Sequence, residues 1–173
     1  VTFGYATAVA LATQAIDNLQ TTGETAHRVV YLEVLGRDAG WIALSAGIAG
    51  GADVILIPEI PYDPAQIARV IRERQAKRRK STIIVVSEGA RPIGGEAVAA
   101  NHAAGRAAKL VGEHFEEPDV MVTVLGHLQR GGDPIPTDRV LASRFGATAV
   151  RAVHSGDFGT LVAIRGSSTS LVP

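Results

Sequence analysis

The sequence contains no cysteine and only one methionine, Met121, and it begins at Val1. Without cysteine the chain cannot form disulfides, thiolate zinc sites or a cysteine nucleophile. The 17 basic and 17 acidic residues cancel, which argues against nucleic acid or an anionic membrane as the main partner. No apolar run approaches the ~18 residues of a membrane span, and no basic segment marks a signal peptide. Since translation does not start at Val1, we expect a processed chain or a fragment of a cytoplasmic protein.

Familiar catalytic motifs are also missing from the sequence. The histidines other than His127 lack metal-ligand spacing, so no metal site can be assigned. The sequence has no P-loop, no dinucleotide-binding G-x-G-x-x-G and no G-x-S-x-G elbow. No pair of catalytic carboxylates can be assigned either. The function must therefore be sought in less common arrangements.

What the sequence does contain is an alternation of strand-like and helix-like segments. Five apolar, β-branched runs read as strands: Val29–Leu35, Val54–Ile57, Ile83–Val86, Val120–Leu125 and the weaker Leu161–Ile164. The segments of helical composition are Ala6–Leu19, Ala39–Ala49, Pro64–Lys80, Gly95–Glu116 and Thr137–His154. Near-continuous apolar strands separated by helices predict an α/β fold, with a mostly parallel sheet sandwiched by helices. Ligands of such sheets bind beyond the carboxyl ends of the strands.

Some local signals are sharper. Asp63 and Pro64 predict the cap and first residue of the third helix, and Asp38 is placed to cap the second. The Ser/Thr-rich segment 167–170 is expected to be a frayed end.

Polar residues follow three of the predicted strands. After the first strand, Gly36 permits close backbone approach and Arg37 offers a fork of donors beside a helix N-terminus, which suits a phosphate or carboxylate. A plain tight turn with an exposed arginine fits the same residues. After the third strand, Glu88 needs a partner if it is buried, either a sugar hydroxyl or an internal arginine.

The strongest local signal follows the fourth strand, in residues 126–134. His127 and Arg130 are two potential phosphate ligands, Gln129 adds an amide, and a glycine pair behind them frees the backbone. A purely structural loop rarely combines these features, so a binding role is favoured. Nearby, Asp138 and Arg139 are predicted to form a mainly structural ion pair.

A basic run lies at the end of the third predicted helix. It holds seven of the 17 cations: Arg69, Arg72, Arg74, Lys77, Arg78, Arg79 and Lys80. A solvated helix face explains such a run most simply. An anion or effector site comes second and nucleic acid third, because the run lacks aromatic residues.

In this order, the segments resemble the 6-phosphofructokinase family, in its branch of actinobacterial-type ATP enzymes and pyrophosphate-dependent relatives. The matching blocks are Thr2–Ala8, Glu33–Leu44, Ala49–Ala52, Ile57–Glu59 and Val124–Gly132, followed by Pro136, Asp138 and Arg139. The resemblance implies a kinase of glycolysis that phosphorylates the 1-hydroxyl of fructose 6-phosphate with MgATP or pyrophosphate. It also implies a substrate-binding domain over residues 1–130 and, over 131–173, a segment returning to a nucleotide-binding domain absent from this chain.

The resemblance also implies roles for individual residues. Leu35, Gly36 and Arg37 would form a substrate loop, Glu88 would bind sugar hydroxyls, and the segment His127, Leu128, Gln129 and Arg130 would hold the sugar and its 6-phosphate. Arg28 would reach into a neighbouring subunit's site, so a homo-oligomer with shared sites, usually a tetramer, is expected. Arg79 and Lys80 fall where many members bind an allosteric effector.

Three departures from the family pattern matter. Met121 stands where an arginine normally binds the 6-phosphate, a loss expected to weaken binding roughly ten- to a hundredfold. Ala6 replaces a common aspartate and could disturb the start of its helix. The catalytic base is expected upstream of Val1, as are most contacts to the donor and Mg²⁺, so the chain alone is predicted to lack kinase activity. A non-catalytic sugar-phosphate-binding or regulatory subunit is the alternative from another class.

Overall fold

A computed structural model describes residues 3–26, 28–99, 101–115 and 119–173. The chain divides into two compact units. The α/β unit comprises Ala8–Gly131, and the terminal unit comprises Val1–Thr7 with Gly132–Pro173. The roles expected for residues 1–130 and 131–173 stay predictions. Among the described helices, none has both the length and the apolar character needed to cross a bilayer.

The α/β unit is built on a four-stranded parallel sheet, as predicted. Its strands are β1 (Val29–Val34), β2 (Val54–Leu56), β3 (Thr82–Ser87) and β4 (Val120–Val124), in the order β2-β3-β1-β4. Val29 lies opposite Thr82 and Val120, and Glu33 lies opposite Val86 and Val124. Because β3, β1 and β4 are parallel and paired without a large offset, their carboxyl ends lie at the same edge of the sheet.

Helices cover both faces of this sheet and confirm the predicted α/β class. They are α1 (Tyr5–Ala26), α2 (Trp41–Ala49), α3 (Pro64–Ala76) and α4 (Ala103–Gly112). The side chains of β1 alternate between two buried clusters. Tyr31 packs with residues of α3 and α4, whereas Val30 and Leu32 pack with residues of α1 and α2. Burial on both faces explains why the central strands β1 and β3 are mostly apolar.

Helix boundaries agree with the sequence where a local cap sets them. Asp63 accepts a hydrogen bond from Ala65 N at 2.9 Å, which confirms the predicted start of α3. The prediction that α3 continues to Lys80 is wrong, because Arg78 adopts a left-handed conformation with φ of 57°. The fourth predicted helix begins only at Ala103 rather than Gly95, at the point where a side chain from β1 meets it.

The terminal unit contains α5 (Pro136–Ser155) and an antiparallel hairpin of β5 (Leu161–Arg165) and β6 (Ser168–Val172). The fifth predicted strand therefore exists but pairs outside the parallel sheet. The prediction of a frayed end over residues 167–170 is wrong, because β6 pairs along its whole length with β5. Gly166, with φ of 60°, opens the two-residue turn between them, as hairpin turns require.

Two further expectations about the terminal unit are corrected. Asp138 is buried and accepts hydrogen bonds from Thr7 N at 2.8 Å and Thr7 Oγ1 at 2.5 Å. Arg139 instead donates to the Pro134 carbonyl at 2.7 Å and lies 3.8 Å from Asp133, so the predicted pair does not form. Because Asp138 caps α1, that helix begins at Tyr5 in spite of Ala6.

Candidate functional site

The loops after β1 and β3 are joined at the carboxyl edge of the sheet. Gly36 N donates to Glu88 Oε1 at 3.3 Å, and Gly89 N donates to the Gly36 carbonyl at 3.0 Å. Ser87 Oγ donates to the same carbonyl at 2.6 Å. These bonds place Arg37 and Glu88 on adjacent loops, because β1 and β3 are neighbours in the sheet.

Glycine is required at both contact points. Gly36 has φ of 138°, and a Cβ there would lie 2.4 Å from Ser87 Oγ. A Cβ on Gly89 would lie only 1.8 Å from the Arg37 carbonyl oxygen. The main-chain segments after β1 and β3 therefore pass too close to each other for a side chain to fit between them. This close approach fixes the position of the loop that carries Arg37.

The predicted sugar-phosphate segment forms a short 3-10 helix, Gly126–Arg130, termed the 126–130 turn. Gln129 is its buried anchor, because Gln129 Oε1 accepts from Leu35 N at 3.4 Å and Gln129 Nε2 donates to the Gly126 carbonyl at 3.3 Å. His127, Leu128 and Arg130 are exposed. The turn thus exposes His127 and Arg130, two of its three candidate ligands for phosphate. The third, Gln129, anchors the turn to Leu35, the residue that follows β1.

The N-terminus of α2 differs from the sequence expectation. Its capping position is Gly40, not Asp38, and Gly40 N donates to both oxygens of Glu59 at 3.0 and 3.1 Å. A carboxylate does bind this helix end, but it belongs to the chain itself. Arg37 stays exposed beside it. The sequence analysis gave Glu59 no role; its position just after β2, at the same edge, was the available signal.

Glu33 is a second acidic residue that the sequence analysis did not single out. Its side chain is 2% exposed, and Glu33 Oε2 accepts from Ala104 N at 2.9 Å at the start of α4. Burial raises the pKa of Glu33, the backbone N–H groups of Ala104, Asn101 and Ala103 oppose that rise, and the charge of Glu88 adds to it. A lone glutamate within the aliphatic run of β1 was the signal that could have identified it.

Two predicted site residues lie at the opposite end of the sheet. Arg28 precedes β1, and Arg28 Nε lies 2.5 Å from Asp119 Oδ2. Met121 lies opposite Val30, near the start of β4, and packs against the aliphatic cluster on the α1 and α2 face. Six residues of strand, about 20 Å, separate Arg28 from the carboxyl edge. The structure therefore does not bring Arg28 and Met121 together with Arg37, Glu88 and the 126–130 turn within one chain.

The basic run is divided between internal contacts and an open cleft. Arg74 Nη1 lies 2.7 Å from Asp53 Oδ1 and Nη2 donates to the Ser81 carbonyl at 3.0 Å, while Arg72 lies over the ring of Phe115. Three other cations of the run line a cleft of about 450 Å³, whose lining residues are Arg28, Val29, Gln75, Arg78, Arg79, Lys80, Ser81 and Thr82. Arg79 and Lys80 thus share one concave surface with Arg28, which makes an anion-binding site chemically feasible there.

Over the described ranges, no group of three or more His, Asp or Glu side chains is arranged to hold a metal ion. The described acidic residues of this site, Glu33, Glu59 and Glu88, each accept hydrogen bonds from backbone N–H groups.

Comparisons with known proteins agree on one family. A family model described as Phosphofructokinase matches residues 1–153. The chain is 52% identical over 176 residues to "ATP-dependent 6-phosphofructokinase" of Chloroflexus aggregans, covering 99% of this chain and 49% of that protein. It is 46% identical to "ATP-dependent 6-phosphofructokinase 2" of Clostridium perfringens, covering 98% of this chain and 50% of that protein. The chain therefore spans about half the length of the curated relatives it matches.

Solved structures show the same fold. Phosphofructokinase from Saccharomyces cerevisiae superposes with a TM-score of 0.81 at 31% identity, over 100% of this chain and 23% of that one. A pyrophosphate-dependent phosphofructokinase from Marinobacter aquaeolei superposes with a TM-score of 0.75 at 24% identity, over 98% of this chain and 44% of that one.

Proposed function

Because the chain belongs to the phosphofructokinase family, we propose that it is the sugar-phosphate-binding portion of an ATP-dependent 6-phosphofructokinase. The full-length enzyme would transfer the terminal phosphate of ATP to the 1-hydroxyl of fructose 6-phosphate, in the cytoplasm and as a step of glycolysis. Relatives at 52% and 46% identity both carry ATP in their names, which favours ATP over pyrophosphate as donor.

The observation that carries this proposal is the convergence of three loops at the carboxyl edge of the sheet. Gly36 N donates a hydrogen bond to Glu88 Oε1, and Leu35 N donates one to Gln129 Oε1. We assign Arg37, His127 and Arg130 to the anionic oxygens of the sugar phosphate, since guanidinium and imidazole groups bind phosphate well. Glu88 would accept hydrogen bonds from the sugar hydroxyls through the oxygen that Gly36 leaves free.

Arg28 supports an oligomer with shared sites. It lies about a strand's length, ~20 Å, from the carboxyl edge, so it can bind the sugar phosphate only in a neighbouring subunit. The ion pair with Asp119 would hold the guanidinium at the surface of the sheet's amino end. A tetramer built from such pairs is the expected assembly.

The donor and metal are assigned to the part of the protein outside these residues. When bound with ATP, Mg²⁺ would supply neutralisation of the charge on the transferring phosphate. The described residues offer no group of three metal ligands, and no residue here is assigned as catalytic base. The 173-residue chain alone is therefore expected to bind sugar phosphate without transferring phosphate.

The cleft holding Arg79 and Lys80 is assigned to an anionic effector. Arg28 lines the same cleft, so an anion bound there would lie next to the residue expected to serve the neighbouring site.

A donor-exchange assay on the full-length protein tests the main proposal. Phosphorylation of fructose 6-phosphate should require MgATP, and Arg130→Met should raise KM about ten- to a hundredfold by removing a charge-assisted contact. The matched control is Arg69→Met, which removes an exposed cation 3.9 Å from Glu73. Turnover with pyrophosphate alone would establish the other donor. Tight sugar-phosphate binding without turnover on either donor would establish a non-catalytic subunit.

The substitution Met121→Arg tests the strongest departure from the family pattern. Met121 is only partly buried at the edge strand β4, so an arginine there can extend its charged end to solvent. If Arg28 serves a neighbouring site, Met121→Arg should lower KM for fructose 6-phosphate. An unchanged KM would show that this end of the sheet does not contact the sugar phosphate.

A further inference from the structure

The helix α4 begins without a capping side chain of its own. His102 occupies the capping position and makes no side-chain capping bond. Glu33 supplies the missing acceptor from β1, since its Oε2 lies 2.9 Å from Ala104 N. A carboxylate at a helix N-terminus is stabilised by the partial positive charge of the exposed N–H groups.

The charge of Glu33 is costly to the fold. The side chain is 2% exposed, and Glu33 Oε1 makes no hydrogen bond to the described residues. The backbone N–H groups of Ala104, Asn101 and Ala103 lower the pKa of Glu33, but burial outweighs them and the pKa is raised. Glu88 lies close enough for its charge to oppose ionisation of Glu33. A buried carboxylate with one unsatisfied oxygen lowers stability relative to a neutral group. Stability therefore does not explain why an ionisable group stands at this position.

Position offers an explanation, because Glu33 contacts both segments that adjoin the 126–130 turn. Its main-chain carbonyl accepts from Leu125 N at 3.1 Å, directly before the turn. Its side chain holds the start of α4, where Asn101 adopts φ of 67°. Asn101 Oδ1 lies only 3.1 Å from the point that a Cβ on Gly126 would occupy. The start of α4 is thus the surface against which the turn begins.

We propose that Glu33 is a positioning residue for the 126–130 turn. Its carboxylate fixes the start of α4, Asn101 is thereby held against Gly126, and the turn keeps His127 and Arg130 in place. That these two side chains then bind a phosphorylated sugar rests on the proposed function. The link from Glu33 to the turn does not, so it can be measured separately.

Glu33→Gln in the full-length protein is the main test. The amide oxygen can still accept from Ala104 N, but the charge is lost. In the folded chain the pKa of Glu33 is raised. Ionisation of this carboxyl group therefore reduces the free energy of unfolding as pH rises through that pKa. Because Glu33→Gln removes the charge, the melting temperature should stay unchanged or rise. Amide hydrogen exchange in the 126–130 turn should become faster. KM for fructose 6-phosphate should rise about three- to tenfold while kcat changes by less than about twofold.

Two further variants make the result decisive. Asn101→Gly keeps the left-handed backbone, which glycine adopts freely, and removes the contact to Gly126, so it should reproduce the faster exchange and the higher KM. Ile84→Val removes one methyl group from the buried centre of β3. That control should lower the melting temperature while exchange in the turn and KM stay as in the wild type.

A melting temperature lowered by Glu33→Gln, with exchange in the turn and KM unchanged, would reduce Glu33 to a structural cap and overturn the proposal. If Glu33→Gln does not fold, Asn101→Gly decides, and wild-type exchange in that variant overturns the proposal equally. If the full-length protein does not phosphorylate fructose 6-phosphate but amide exchange in the turn is faster in Glu33→Gln and Asn101→Gly, the positioning role is supported and the proposed function is contradicted.

Discussion

Gly89→Ala probes the contact between the loops that carry Arg37 and Glu88. The added Cβ would lie 1.8 Å from the Arg37 carbonyl oxygen and 2.9 Å from Arg37 Cα. Ordinary van der Waals contact needs about 3.5 Å or more, so the main chains must separate by roughly 1.7 Å or more. A side chain could rotate away from such a collision, but a main chain cannot.

The cost follows from the bonds that this separation disturbs. Gly89 N donates to the Gly36 carbonyl at 3.0 Å, Ser87 Oγ to the same carbonyl at 2.6 Å, and Gly36 N to Glu88 at 3.3 Å. Weakening two or three bonds at about 1 kcal/mol each gives a loss of roughly 2–3 kcal/mol, which agrees with the ~1–3 kcal/mol typical of overpacking. Domains of this size are stable by about 5–15 kcal/mol, so the variant should still fold.

Urea unfolding measures this loss against a matched glycine. Gly105 lies within α4 with no heavy atom within 4 Å of its would-be Cβ, so Gly105→Ala should stabilise the protein by about 0.5–1 kcal/mol. Gly89→Ala should lower the midpoint at an unchanged slope and raise KM for fructose 6-phosphate in the full-length protein. A loss below about 0.5 kcal/mol, within the range of surface substitutions, would refute the close approach of the two loops.

Two further predictions concern other parts of the chain. Asp138→Asn should lower the free energy of unfolding by about 1–2 kcal/mol, because Asp138 caps α1 through Thr7. The hydrogen bond from the Thr7 hydroxyl holds the pKa of Asp138 below its usual 3.8. This stabilisation is therefore present at neutral pH and is lost as pH falls through the lowered pKa. Urea unfolding of the wild type and of Asp138→Asn, measured down to about pH 2, should show the difference in their free energies of unfolding disappear. Replacing both Arg79 and Lys80 by alanine should weaken the binding of inorganic phosphate, measured by titration calorimetry, by about tenfold or more. The control Arg69→Ala should leave phosphate binding unchanged. Equal binding by the double variant and the control would contradict an anion site in the cleft.

The centre of the sheet was predictable from the sequence because β1 and β3 are buried on both faces, which demands a nearly uninterrupted apolar run. The edge strands β2 and β4 carry the same apolar, β-branched pattern although they are only partly buried. Loop positions at the carboxyl edge followed from the glycines and polar residues that end those runs. The hairpin was missed because β6 is short and largely polar, although Gly166 with Ser167 is a known turn signal. Local patterns could not reveal that Glu33 caps α4, since its partner Ala104 lies 71 residues away. Nor could they reveal that Glu59, not Asp38, binds the start of α2.

These distant carboxylates change how an anionic ligand could bind at this fold's helix ends. The first turns of α1, α2 and α4 are bound by Asp138, Glu59 and Glu33. A phosphate seeking the partial positive charge of these N-termini would meet a negative charge already in place. If a sugar phosphate binds at the carboxyl edge, its binding is expected to depend on cationic side chains, of which Arg37 and Arg130 are exposed. Such long side chains can hold a ligand in one geometry only if the loops that carry them are rigid. The close glycine contact and the buried Glu33 supply that rigidity, so substitutions at either should weaken substrate binding without touching a ligand atom.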